Sequence, residues 1–442
     1  FDSSLQDKGV HILDPFTGTG TFITRLLQSG IIPAGRLPEK YQNEIHANEI
    51  VLLAYYIAAI NIEAAYHGII QPHIGGNTAD SSEYTPFNGI CLTDTFQMYE
   101  KDDLLHGAME DNSERRKRQK ALDIRVIIGN PPYSAGQESA NDNNANVEYP
   151  HLDGRIRETY AKHGNATLQN ALYDSYIRAI RWASDRIGNK GVIGFVTNAG
   201  WVEANTADGL RKCLADEFSS LYIFHLRGNQ RTSGERSRKE GGKIFGSGSR
   251  APIAVSILVK NPEAAKRGQI YFHDIGDYLS REQKLAIIDE LGSIQGISDS
   301  IGWQQITPDS FSDWLNQRDP NFNNYIVLGD KKEGEKLTVF ENYSNGLKTN
   351  RDTWVYNFSG SRLEQNMRST INFYNSEVSR FQAACKGLPE NEQPDVNVFI
   401  NTDPSKISWT VNLKNDLGRL RKSQFDNDCV VTGLYRPFTK EK

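Results

Sequence analysis

The sequence predicts an α/β fold built on a mostly parallel sheet. Over residues 1–260, short β-branched runs alternate with amphipathic stretches of helical period, as in strands joined by crossover helices. Polar and glycine residues gather where each run ends, as at the open edge of a parallel sheet. The length, 442 residues, exceeds what one hydrophobic core serves, so two or more domains are expected.

Val10 to Asp14 reads as a strand running into Gly18 and Gly20, and Thr21 to Gln28 as the helix that follows. Asn43 to Glu49 is a strand and Val51 to Tyr66 a helix; Ile90 to Asp94 and Arg125 to Gly129 are the next strands. Leu172 to Ile187 is a helix, Gly191 to Thr197 a buried strand and Gly209 to Phe218 a helix. Leu221 to Leu226 and Pro252 to Val259 form a pair flanking a long basic loop. Beyond residue 262 the alternation gives way to irregular, aromatic-rich sequence with Trp303, Trp314, Tyr325, Trp354, Tyr356 and Phe358, and one long helix near Arg362 to Ala384. The Asn- and Ser-rich stretch Ser134 to Asn146 reads as a mobile loop.

With 38% hydrophobic and 24% charged residues the composition is that of a soluble globular protein. Runs such as Ile50 to Ile62 and Ile253 to Val259 are too short or interrupted to span a bilayer, and no secretory leader opens the chain, so a cytoplasmic protein without a membrane partner is expected. Cys91, Cys213, Cys385 and Cys429 are scattered, and His151, His163 and His225 are isolated, so neither a disulfide framework nor a metal site is expected. The net charge of −5 excludes a uniformly basic surface but not a local one. Opening on Phe1 and ending at Lys442, the chain reads as a fragment of something longer.

Three successive strand ends carry Asp14, Glu49 and Asp94. In Asp14-Pro15-Phe16-Thr17-Gly18-Thr19-Gly20 the glycines let the backbone turn tightly and approach a ligand at a helix N-terminus; a plain turn is the alternative. Glu49 is placed to accept both hydroxyls of a ribose, and Asp94 a hydrogen bond from an adenine amino group, with Phe96 or Ile50 against the ring. Singly, each acid is as well explained as a helix cap. Then follows Asn130-Pro131-Pro132-Tyr133. A rigid turn would account for the prolines alone, but the Asn130 side-chain carbonyl and the Pro131 main-chain carbonyl together offer two acceptors for the two protons of an exocyclic amine. An amine held so presents its lone pair to an electrophile, and Tyr133 offers a face on which an extruded base stacks.

The ordered set Asp14-Pro-Phe-x-Gly-x-Gly, Asn48-Glu49-Ile50, Asp94 and Asn130-Pro-Pro-Tyr133 resembles the amino-group DNA methyltransferases of the gamma arrangement, over residues 1–260. The resemblance implies a Rossmann-like AdoMet-dependent methyltransferase with a mostly parallel seven-stranded sheet, followed by a mixed α+β C-terminal region. It assigns AdoMet to Asp14, Pro15, Phe16, Thr17, Gly18, Gly20, Thr21, Phe22, Glu49, Ile50, Asp94, Thr95 and Phe96. Catalysis falls to Asn130, Pro131, Pro132 and Tyr133, and Phe245 inherits the role of presenting an aromatic edge to a flipped adenine. Asn130 to Gln137, Gly242 to Arg250, Asn345 to Asp352 and Tyr435-Arg436-Pro437-Phe438 resemble the type ISP restriction-modification enzymes, single polypeptides in which a nuclease and a helicase-like motor precede the methyltransferase. The chain has no Gly-x-x-x-x-Gly-Lys-Ser/Thr phosphate loop, so no motor is expected within it. The resulting division is a catalytic domain at residues 1–275 and, at 276–442, an extension leading into an incomplete target recognition region.

Double-stranded DNA is the expected partner. Arg227, Arg231, Arg236, Arg238, Lys239, Lys243 and Arg250 stand against Glu235 and Glu240 in the basic loop, an excess of five positive charges suited to phosphates. Arg115 to Lys120 reads instead as a solvated helix face. The expected reaction is methylation of adenine N6. The alternatives are methylation of another planar amine or amide (cytosine N4, an RNA base, a protein glutamine) and a DNA-specificity module without turnover.

Overall fold

The computed structural model describes residues 3–70, 84–99, 110–133, 149–166, 169–246, 249–319, 321, 324–330, 337–342, 349, 351–389, 392–403, 405–434 and 440–441. The stretch Ser134 to Asn146, most of the segment 345–352 and Tyr435 to Phe438 lie outside the described residues. Two compact units form, Phe1–Asn323 and Asn324–Lys442, so the division expected at residue 275 falls inside the first unit.

Among the described residues, nine strands of the first unit make one sheet. They are β1 (His11–Asp14), β2 (Ile45–Glu49), β3 (Ile90–Leu92), β4 (Ile124–Gly129), β5 (Gly191–Asn198), β6 (Ser220–Arg227), β7 (Ile253–Lys260), β8 (Gln269–Asp274) and β9 (Gln304–Ile306). Their order is β3-β2-β1-β4-β5-β7-β6-β8-β9. The run β3 to β5 is parallel, β7 lies antiparallel between β5 and β6, and β8 and β9 extend the edge, β8 parallel to β6 and β9 antiparallel to β8. The expected seven strands are therefore corrected to nine. The two additions come from the stretch read as irregular after residue 262; each is defined by the strand it pairs with, β8 by β6 and the edge strand β9 by β8, and their own short patterns carry little signal.

Side chains alternate between two cores. Leu13, Ile127 and Ile193 face one, with the helix Ser175–Arg186, whereas Ile12, Ile45 and Ala47 face the other, with the helices Thr21–Gln28 and Leu52–Ile70. Covering both faces is what a parallel sheet requires. The strand order reverses between β1 and β4, and in such a sheet the crevice outside the carboxyl ends at that reversal is where ligands bind.

The first unit continues past the sheet because residues 311–318 fold back on it. Arg211 pairs with Asp313 and donates to the Ser312 carbonyl, and Trp314 packs edge-on against Trp201, all four side chains in contact being buried. The pair joins residues a hundred positions apart, which periodicity does not reveal.

The second unit is helical where the mixed α+β region was expected; its described strands are the two-residue pair Gly433–Leu434 and Lys440–Glu441. Its long helix, Gly360–Cys385, is capped by Ser359 and packs Tyr374, Val378 and Phe381 against Ile400, Ile407 and Leu417, while Leu363 and Thr370 are buried nearer its start. No described helix is long and apolar enough to cross a membrane.

Candidate active site

The turn after β1 is held by carboxylates and main-chain groups of its neighbours. Asp14 is fully buried; one oxygen accepts from the Phe16 N–H at 3.1 Å and the other, Oδ2, is buried without a hydrogen-bond partner. Burial, reinforced by the Glu49 charge, raises its pKa to about 7 against the pull of the Phe16 N–H. Glu49, at the end of β2, accepts from the Gly18 N–H at 2.7 Å and from the Val51 N–H at 2.8 Å. Gly20 sits at φ +87°, and a Cβ there would stand 3.2 Å from the Ala58 carbonyl and Ile62, so glycine is needed both for the turn and for the close approach of helix Leu52–Ile70. Thr21 is exposed and Phe22 half-buried on the helix that follows.

The third strand end is partly committed to structure. Asp94 Oδ1 caps the Phe96 N–H at 2.9 Å and Oδ2 accepts the Tyr149 hydroxyl at 2.9 Å. Phe96 is buried between Phe16 and Tyr149, with ring centroids 5.5 and 5.1 Å away. Of the two side chains expected against a purine ring, Ile50 is the one presented to solvent, at 44% exposure. Thr95 locks the strand ends together: its hydroxyl donates to the Pro15 carbonyl at 2.6 Å and accepts from Asn48, whose own carbonyl oxygen receives Gln119 at 2.9 Å. Gln119 belongs to the basic helix Glu110–Ala121, so that helix turns one buried side chain toward the site.

The tetrapeptide begins immediately after β4. A Cβ on Gly129 would lie 2.9 Å from Asp14 Oδ1, so β1 and β4 approach closely only because glycine precedes Asn130. Pro131 is buried while Asn130 and Pro132 are exposed. Asn130 Oδ1 accepts the Tyr133 hydroxyl at 2.8 Å, and that hydroxyl also reaches the Val196 carbonyl on β5 at 3.2 Å. Burial and the neighbouring Asp174 push the Tyr133 hydroxyl well above its ordinary value, so it stays protonated and donates. The ring packs edge-on against Tyr176 at 6.2 Å. Tyr133 and Phe245 flank one apolar cluster containing Phe224, Leu226, Ile244 and Ile253, which brings the two aromatic candidates to the same wall.

The basic loop between β6 and β7 contains a short helix, Gly234–Glu240, and is closed on itself: Gly228 N–H donates to the Glu240 carbonyl and Gln230 N–H to the Arg250 carbonyl. Its cations divide. Arg227 pairs with Asp274 and Asp277, Lys239 with Asp277 and Arg238 with Glu235. Arg250 donates to the Gln230 carbonyl at 3.3 Å. Arg231 and Arg236 are exposed and form no ion pair among the described residues, and Lys243 is half-buried.

Two residues outside the sequence reading, Tyr149 and Lys284, prove structural to the site, as does Asn48, read there as part of a motif without a role of its own. Lys284 is fully buried and donates to the main-chain carbonyls of Glu240 at 2.7 Å and Gly242 at 2.8 Å; burial lowers its pKa to about 8 despite the Glu240 charge. Leu279 accepts from the Gly242 N–H and Arg281 donates to the Ile244 carbonyl at 2.8 Å, so the segment 279–284 clamps the chain just ahead of Phe245. A lysine on an ordinary amphipathic helix gives no such signal in sequence. Among the described residues no group of three His, Cys, Asp or Glu is placed to hold a metal ion.

Residues 55–231 match the family described as Eco57I restriction-modification methylase, and residues 338–442 match the Type ISP C-terminal specificity domain. Among solved structures, a nuclease-deletion mutant of the Type ISP restriction-modification enzyme LlaGI, in complex with a DNA substrate mimic, is 47% identical at a TM-score of 0.86. That match covers 100% of this chain and 35% of LlaGI. The ATP-dependent Type ISP enzyme LlaBIII bound to DNA is 40% identical at 0.85, over 99% of this chain and 28% of that one. The protein of the DrdV–DNA complex is 35% identical at 0.84, over 100% and 41%. No curated protein matches the chain.

Proposed function

The chain belongs to the Type ISP restriction-modification family, of whose solved members it spans about a third, and from that premise we propose that it transfers a methyl group from AdoMet to N6 of an adenine flipped out of double-stranded DNA. The activity is the modification half of a restriction-modification enzyme whose nuclease and helicase-like parts belong to the same full-length polypeptide. Residues 1–275 carry the catalysis, and residues 276–442 lead into target recognition.

The observation that carries the proposal is the placement of Asn130. Its carboxamide is exposed at the carboxyl end of β4, one residue beyond the glycine that touches Asp14, and is aimed by the Tyr133 hydroxyl. The turn after β1 also suits a cationic adenosyl cofactor: the Asp14 carboxylate is buried with Oδ2 unpartnered, so positive charge nearby favours its ionised form. When bound, AdoMet supplies an electrophilic methyl group on a sulfonium.

The protein's own groups do the rest. Glu49 keeps one lone pair on each oxygen after serving Gly18 and Val51, enough to receive two ribose hydroxyls, and Ile50 lies open to a purine ring. Asn130 Oδ1 accepts one amine proton beside the Tyr133 hydroxyl, and the Pro131 carbonyl accepts the other. So held, N6 would present its lone pair in line with that methyl group; the C–S bond would break as the N–C bond forms, leaving a neutral thioether, the surplus amine proton would pass to solvent, and no side chain would be covalently bonded. Stacking on Tyr133, worth roughly 1–3 kcal/mol, offsets much of the few kcal/mol that unpairing a base costs, and Phe245 bounds the same wall.

Asn130→Ala tests this directly. We expect a fall in kcat on the order of 10²- to 10³-fold, the usual cost of one preorganised polar partner, with AdoMet affinity and thermal midpoint unchanged. Methylation at the unmodified rate would remove Asn130 from the mechanism. Mass analysis of nucleosides from treated duplex should show N6-methyladenine; N4-methylcytosine in its place would overturn the choice of base.

A further inference from the structure

At the carboxyl end of β5 a polar cleft of about 310 Å³ opens between the strand end and the basic loop. Its lining includes Asn198, Gly200 and Glu203 at and after the end of β5, and Arg231 and Arg236 from the basic loop. We propose that this cleft seats a backbone phosphate of the DNA strand that carries the flipped base, gripped by Arg231 and Arg236. The inference rests on the methyltransferase reading and deepens it by separating the cations that touch DNA from those that build the loop.

Three observations support it. First, the cleft adjoins the base site. Tyr133 donates to the Val196 carbonyl two residues before Asn198, and packs against Tyr176. Gly200, in the cleft lining with Arg231, reaches the same wall: a Cβ there would stand 3.8 Å from the Tyr176 hydroxyl. Second, the loop's cations are already sorted: Arg227, Arg238 and Lys239 are tied to Asp274, Glu235 and Asp277, whereas neither arginine in the cleft has an ion pair among the described residues. Third, Asn198 spends its side-chain oxygen on the Gly200 N–H at 2.9 Å, which leaves its amide N–H groups as the donors it can offer; the acid in the lining, Glu203, accepts from Asn316 at 3.4 Å. A guanidinium pair with asparagine beside it is the donor set that a phosphodiester takes, two flat forks of N–H groups against charged oxygens.

The test uses full-length protein and duplex DNA, with affinity measured by fluorescence anisotropy across a salt series. In Arg231→Gln/Arg236→Gln we expect binding on the order of tenfold weaker, and the slope of log affinity against log salt shallower by about 1, the loss of one phosphate contact. Lys266→Gln is the control: Lys266 is exposed in the turn between β7 and β8, at the opposite end of the sheet from Asn198, and should change neither quantity. A double variant that keeps both wild-type affinity and slope while the wild type methylates DNA overturns the cleft and leaves the methyltransferase reading standing. A wild type that neither binds nor methylates duplex overturns both.

Discussion

The turn after β1 and the loop between β6 and β7 both carry glycines and both lean on partners distant in the chain, yet different groups hold them in place. The turn is secured by the strand-end motifs that the sequence already marks: Glu49 takes the Gly18 and Val51 N–H groups, Asp14 takes Phe16, and Thr95 bridges Pro15 to Asn48. The loop, besides closing on itself through Gly228 with Glu240 and Gln230 with Arg250, is fastened by Asp274, Asp277, Leu279, Arg281 and Lys284, which no motif marks. The difference teaches that a charged residue in the turn points to a ligand, whereas a charged residue in the loop is as often a fastening.

The comparison breaks most visibly at Lys284. Lys284→Met removes the amine that serves the Glu240 and Gly242 carbonyls; Glu240 keeps the Gly228 N–H, and leaving the Gly242 carbonyl unmet costs about 1–3 kcal/mol. Amide exchange should quicken across residues 239–244 while residues 17–20 keep their protection. Equal loosening of both regions would show that they are not independent fastenings.

Glu49→Ala is the counterpart in the turn. With its two charge-assisted bonds to Gly18 and Val51 gone, AdoMet affinity measured by calorimetry should fall about 100-fold, on the scale of one or two such bonds. DNA affinity should hold within threefold; a parallel loss of DNA binding would tie the turn to the loop.

A smaller effect is expected from pH. Asp14 ionises near 7 when folded against an ordinary 3.8, so its contribution to stability is fully present below pH 3.8 and fades as pH rises through about 7. A cationic cofactor favours the ionised form, so AdoMet affinity should climb several-fold between pH 6 and 8 and then level off. In Asp14→Asn that climb should vanish. A wild-type profile flat across this range would show that Asp14 is not sensed by the cofactor.

The smallest change sharpens the position of Asp94. Tyr149→Phe frees Asp94 Oδ2 while leaving its cap on Phe96. If Asp94 is chiefly a cap, AdoMet affinity should move less than threefold and stability by about 1 kcal/mol. A tenfold gain in affinity would show that the tyrosine competes with the cofactor for this carboxylate.

Legibility followed the same divide. The helix Thr21–Gln28 was placed to the residue, and β1, β2 and β4 to β7 within one or two residues at each end, because periodicity and glycine punctuation are local. Asp14, Glu49 and Asn130 were readable as a set because each closes a strand and the strands share one edge. Phe96 was read as a ring neighbour and is instead buried, since sequence cannot tell which side of a strand end turns inward. β8 and β9 were missed because β8 is fixed by pairing with β6 and β9 by pairing with β8, and the extent of the first unit because Arg211 and Asp313 are distant in the chain.

By itself the sequence determined the α/β class, the order of the strand-end carboxylates and the place of Asn130 and Pro131 at the end of β4, all of which follow from residue types and their local pattern. Only the tertiary structure decided which cations of the loop are spent in ion pairs, which lysine clamps the chain before Phe245, and where the first unit ends. Those depend on side chains brought together from far along the chain, where burial and charge pairing, rather than local pattern, select the partner.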